Sequence, residues 1–251
     1  MMFSIIMLCV LIGTSVYAFR EVILGDDQGA VIRKFTDSVR MMTTGKKANE
    51  EKTLKKVNKV VLDVPLINQM DDPKLYNGCE VTSLAMLLQY HKINVSKNTL
   101  GDEIETVPLD YDDGQHGNPN VGFVGDVTGD SAGLGVYHGP VAKLAQKYSK
   151  NVHDISGQSF SKVIERLELG QPVWTITTVN FAPVDDFQDW QTPQGEMKIT
   201  FSEHSVVITG FDRKNSLIYI NNPFGNKNQA VSWNDFEDAY NQMGKQAIYI
   251  D

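Results

Sequence analysis

Apolar and polar positions follow two different periods along this chain. Val81, Leu84, Ala85 and Leu88 fall at i, i+3, i+4 and i+7, the spacing of one buried helix face. The pattern predicts a helix from Cys79 to about His91, with Asn77 as N-cap and Gly78 in the first turn. Gly139-Pro140 opens a second helix, Val141 to Tyr148, with proline at its favoured first position. A third, Ser159 to Leu169, stops at Gly170. From there β-branched and aromatic residues take over. The runs Val173–Thr177, Lys198–Phe201, His204–Phe211, Ser216–Asn221 and Ala247–Ile250 read as strands, with a late helix over Trp233–Gln242. Upstream, Val61–Leu66 is a short strand ended by Pro65. Helices first and strands last predict an α+β fold with a mostly antiparallel sheet. Residues 100–135 show no period and are rich in Gly and Asp. A loop of that length in a compact domain is usually functional or disordered, and part of 110–135 is expected to overhang a cleft as a lid.

Charge divides the chain further. Residues 1–18 carry none, Ile5–Gly13 is a compact apolar run, and Val16-Tyr17-Ala18 loosely fits a small-x-small cleavage site. The segment predicts a signal peptide cut after Ala18, although no basic residue precedes the run. An uncleaved anchor is the alternative; about 20 apolar residues are needed to span a bilayer, and this run is marginal. Cys9 follows Leu8, where a lipobox would have a small residue. Once residues 1–18 are removed, one cysteine remains and an intrachain disulfide is impossible. Residues 19–60 hold ten Lys or Arg against six Asp or Glu, and residues 61–251 thirteen against twenty-five. The basic stretch 19–59 predicts a polar spacer, or else a pro-segment lying on an acidic domain, and the globular domain spans 60–251. That places the protein outside the cell or at its surface, near membrane or wall, and as a monomer. The overall charge of −8 argues against a nucleic-acid partner. The acidic loop lacks EF-hand spacing, so no metal and no cofactor are expected.

The chemistry lies in the order of three groups. Cys79 opens a buried helix, where the terminal N–H groups and the dipole favour a thiolate. His204 begins a strand far downstream, and Asn222 ends the next one. A lone cysteine with a distant histidine and a later Asn or Asp is the arrangement of a cysteine nucleophile. The imidazole serves as base, and a side-chain acceptor fixes its tautomer and plane. Gln69 and the Cys79 N–H are candidate donors for the acyl oxygen. The plainer alternatives are a free core cysteine, a strand-end histidine and a turn-capping glutamine.

Four segments together carry a family resemblance: VPLINQMDDPKLYNGCEVTSLAMLLQYHKI, GNPNVGFVG, GVYHGPVAKLA and EHSVVITGFDRKNSLIYINNPFG. Residues 60–251 resemble the papain-like cysteine peptidases of the bacteriocin-processing-peptidase-like group, in their free-standing exported form without an ABC transporter. The resemblance implies a papain-like fold with Cys79 as nucleophile, His204 as base, Asn222 as orienting residue and Gln69 as oxyanion donor. Many relatives have Asp where this chain has Asn222, which leaves the imidazolium less stabilised. Asn221 takes the role if the strand register slips by one. Gly78, Glu80, His138 and Trp190 are expected to touch a peptide or peptide-like substrate. The implied activity is amide hydrolysis through a thioester acyl-enzyme. The alternatives are acyl transfer to an amine, or a binding module with a weak site.

Overall fold

The structure, a computed structural model, describes residues 57–251. The signal-peptide segment, its anchor alternative and nearly all of the basic stretch 19–59 lie outside the described residues. Within them, β1 (Lys59–Val61) is followed by α1 (Cys79–Tyr90) and α2 (Lys97–Glu103). Three short strands come next, β2 (Thr106–Val107), β3 (Phe123–Gly125) and β4 (Gly133–Gly135), then α3 (His138–Gln146), β5 (Val152–Asp154) and α4 (Phe160–Glu168). The C-terminal part holds β6 (Val173–Thr178), β7 (Gln188–Thr192), β8 (Gly195–Ile199), β9 (Glu203–Asp212), β10 (Leu217–Asn222), β11 (Asn226–Ser232), α5 (Trp233–Gln242) and β12 (Ala247–Ile250).

The centre is an antiparallel seven-stranded sheet in the order β11-β10-β9-β6-β12-β5, with β1 also paired to β9. Side chains alternate across it with period 2, and both faces are covered. Trp174, Ile176, Val207, Ile248 and Ile250 meet α1 and α3 on one face. Val173, Val206, Ile208, Ala247 and Tyr249 meet α4 and α5 on the other. Strand β9 is therefore buried along all ten residues, which explains its near-continuous apolar run. Helix α1 sits between the sheet, α2 and α3, so residues 80–88 are buried on every side and not on one face only.

The α+β class with an antiparallel sheet holds, with local corrections: the strand expected over Val61–Leu66 lies instead at Lys59–Val61. Gly78, not Asn77, is the N-cap of α1; the Asn77 amide reaches Asp126 O at 2.7 Å instead. The region 100–135 is not a bare loop: it contains part of α2 and the β2-β3-β4 sheet. It also has a small core of its own. Val124 packs there with Trp190 and Ile199 of the β7-β8 hairpin. Strand β11, missed in the sequence, is a polar edge strand whose one buried residue is Val231. Among the described residues no helix is long and apolar enough to cross a membrane.

Candidate active site

Packing of α1 on β9 brings the first turn of the helix to the start of the strand. Ser83 Oγ donates to Ser205 O at 3.1 Å, and Trp174 Nε1 donates to Glu80 O at 3.0 Å. These bonds fix the first turn of α1 against β9 at Ser205, whose backbone N–H lies against the Cys79 sulfur. Gly78 is buried beneath Leu75, and a Cβ there would stand 2.6 Å from Leu75 Cβ, so the approach of the loop to the helix needs glycine. Cys79 itself is a free, partly exposed thiol. Its N–H has no acceptor among the described residues.

The thiol is not held as a thiolate. Sγ donates to Glu80 Oε2 at 3.3 Å, and no hydrogen bond joins it to His204. Desolvation by the surrounding protein, then the Glu80 and Glu203 carboxyls, push the Cys79 thiol well above its ordinary value. This corrects the expectation of a helix-terminal thiolate. A helix terminus contributes about 0.3–1 kcal/mol, and ~2 at most. Burial with a like charge alongside shifts an acid by several pK units, and wins.

His204 is 2% exposed. Its Nε2 lies 3.0 Å from Asn222 Oδ1, while Asn222 Nδ2 donates to Gln229 Oε1 at 3.0 Å. Since the Asn222 amide nitrogen is committed as a donor, Oδ1 is the acceptor and Nε2 carries the proton. Nδ1 is then the basic nitrogen of the ring. Phe224 stacks on the imidazole with centroids 4.9 Å apart and planes at 8°, and its N–H also donates to Asn222 Oδ1. Asn221 faces elsewhere and pins Val64 O and Pro65 O. Burial lowers His204 to about 4, against a smaller upward effect of the Asn222 bond, so the ring is neutral near pH 7.

That depression predicts a pH effect on stability. Between the ordinary value of 6.5 and about 4 the unfolded chain binds the His204 proton and the folded chain does not. Stability therefore falls as pH drops through this window and levels off below it, by roughly 3 kcal/mol in total at 1.36 kcal/mol per unit. Urea denaturation at pH 7 and pH 4.5 should show a larger loss for the wild type than for His204→Gln. Equal losses would remove the buried-neutral assignment.

The remaining expected site residues are placed as follows. Gln69 is fully buried, and its Nε2 donates to Leu75 O at 3.1 Å and Tyr76 O at 2.9 Å. Both amide hydrogens are thus spent on the loop before Cys79, so Gln69 is not poised as an oxyanion donor; it positions that loop. Glu80 is 1% exposed and does not face a substrate groove. Trp190 is 6% exposed, stacked with His116 in the satellite core, and is likewise no groove wall. His138 donates or accepts at 2.5 Å with Asp154 Oδ2 and lines a cavity of 240 Å³ with Tyr137, Phe187 and Gln246; neither Cys79 nor His204 lines it. Four residues were missed: Phe224, Gln229, Tyr137 and Glu203. Phe224 and Glu203 sit inside the Asn222 and His204 motifs and were open to notice. Gln229 and Tyr137 had no sequence signal.

The sequence profile of the family described as "Peptidase_C39 like family" matches residues 61–248. The "Uncharacterized protein YvpB" of Bacillus subtilis (strain 168) is 53% identical over 208 residues, covering 82% of each chain. A crystal structure described as that of a C39-like peptidase from Bacillus anthracis is 44% identical. It superposes with a TM-score of 0.73 over 78% of this chain and 98% of its own. A double-glycine-motif protease from an AMS/PCAT transporter, solved with its leader peptide, is 17% identical over 78% of this chain and 99% of its own, with a TM-score of 0.42.

Proposed function

The chain belongs to the Peptidase_C39-like family, and from that premise we propose that it is an exported cysteine peptidase or amidohydrolase acting on a peptide or peptide-like substrate. Cys79 attacks the amide carbonyl while His204 Nδ1 takes the thiol proton. The Cys79 N–H donates to the developing oxyanion, and the imidazolium returns its proton to the leaving amine. Water activated by the same nitrogen then hydrolyses the thioester. Because the thiol is neutral at rest, proton transfer accompanies attack and does not precede it. Export rests on the uncharged apolar segment at residues 1–18, and needs no further site on the domain.

The observation that carries this proposal is the His204–Asn222–Gln229 relay, which leaves Nδ1 unprotonated one residue from Ser205, whose N–H lies against the Cys79 sulfur. An unbiased peptide-library digest with residues 19–251 should yield products that are absent with Cys79→Ala. Identical digests would reject a hydrolase. The second proposal, a binding module with a weak site, is favoured by one observation: the resting thiol donates to Glu80 and not to His204.

A further inference from the structure

Glu80 and Glu203 border the nucleophile and the base, and both are buried. Glu203 is 8% exposed, and neither of its carboxyl oxygens has a partner among the described neutral and cationic donors. Glu80 Oε1 accepts from Val136 N at 2.8 Å, and Oε2 accepts from the Cys79 thiol. The backbone of β4 roofs both groups: a Cβ on Gly135 would stand 2.4 Å from Glu80 Oε1 and 3.1 Å from each Glu203 oxygen. The two carboxyls thus crowd one point under Gly135, and burial raises both, Glu203 further because Glu80 lies beside it. Two carboxylates in such contact do not both stay ionised. Glu203, with no N–H or cation to hold a charge, is the partner that keeps the proton.

Among the described residues no Lys or Arg pairs with either carboxyl. Cys79 faces the pair from α1 and Tyr137 from the turn ahead of α3, while His204, the residue after Glu203 on β9, alternates to the other face of the sheet. Strand β6 contributes Trp174 and Thr178, which do not titrate. The single negative charge on Glu80 is therefore felt directly by the sulfur.

We propose that Glu80 and Glu203 form a one-proton carboxyl pair that holds the Cys79 thiol protonated and directed away from His204 at rest. Glu80 is a positioning residue: it competes with His204 Nδ1 for the thiol proton, and Glu203 sets its charge by keeping the pair's one proton. The resting cysteine is thereby a latent nucleophile. It is released when the bond to Glu80 breaks and the thiol turns to the imidazole, with its proton passing from sulfur to Nδ1. This rests on Cys79 being the nucleophile, so the test reads the thiol and the carboxyls and not hydrolysis.

Alkylation by iodoacetamide across pH should follow an apparent thiol pKa above the ordinary free value of about 8.5. Glu203→Gln puts a neutral amide in place of the neutral carboxyl and should keep that profile. The double variant Glu80→Gln with Glu203→Gln removes the charge. It should move the profile down by at least about one unit, giving roughly tenfold faster labelling near pH 7.5. A Glu203→Gln profile shifted as far as the double variant's, or a double-variant profile that does not move, overturns the proposal. A purely structural role for the pair predicts no such difference between the variants. If the variants do not fold, NMR of the wild-type chain with carboxyl-labelled ¹³C-glutamate decides. One glutamate still protonated at neutral pH supports the pair, and ordinary titration of every glutamate overturns it, whether or not peptides are cleaved.

Discussion

Cys79→Ala should abolish amide hydrolysis, and His204→Ala should slow it by about 10²–10⁴-fold, the range for loss of a positioned general base. The two should not add: the double variant should be no slower than Cys79→Ala, because the residues act as one unit. The structure gives a reason to expect the upper end of that range at His204. The thiol is held neutral by burial and carboxylates, so without a base the fraction of thiolate near pH 7 is very small. Asn222 offers a graded control. Asn222→Ala frees the ring and leaves Gln229 without its donor, and should slow the reaction less than His204→Ala. Asn222→Asp places a carboxylate against Nε2 and should raise the His204 pKa from about 4. The acid limb of the pH–rate profile should then move to higher pH. Hydrolysis that survives in Cys79→Ala, or an acid limb indifferent to Asn222→Asp, would count against this assignment.

Much of the frame was legible because it is written in local periods. The i, i+3, i+4, i+7 pattern after Cys79 marks α1, and the β-rich runs after residue 173 mark β6, β9, β10 and β12. What was missed is polar. Helix α2 (Lys97–Glu103) buries only Lys97 and Leu100, and its start is set by Ser96 accepting from Thr99 N. Strand β11 lies at a sheet edge, where one face suffices and alternation fades. The register of β10 was left open between Asn221 and Asn222; the structure turns Asn222 to His204 and Asn221 to the Val64-Pro65 loop. The electrostatics were the hardest part. A helix-terminal cysteine suggests a thiolate only if its neighbours are ignored, and both neighbours that matter are carboxyls. Glu80 is adjacent in sequence, yet Glu203 reaches it only through the packing of α1 on β9. No spacing rule carries that contact.

The largest effect on stability should come from Trp174→Ala, and it should reach the site. Trp174 is fully buried on the α1 face of β6, between the partners Val207 and Ile248 on the neighbouring strands. Removing a buried tryptophan side chain costs about 3–5 kcal/mol, from lost transfer energy and the cavity left behind. For a domain of this size that corresponds to roughly 6–20 °C in Tm. The indole does more than fill space, because Nε1 donates to Glu80 O, one residue from the nucleophile. Trp174→Phe keeps most of the apolar contact and loses this bond, worth about 0.5–1.5 kcal/mol net. It should therefore lower Tm by only a few degrees. The first turn of α1 would lose its anchor to the sheet, and thiol labelling should change by more than the small stability loss explains. Thermal melts and iodoacetamide labelling on the same three proteins test both parts. A fall in Tm under about 3 °C for Trp174→Ala would show that the cavity collapses or fills, and labelling of Trp174→Phe identical to wild type would show that the α1 terminus is held by its other contacts, Ser83 to Ser205 foremost.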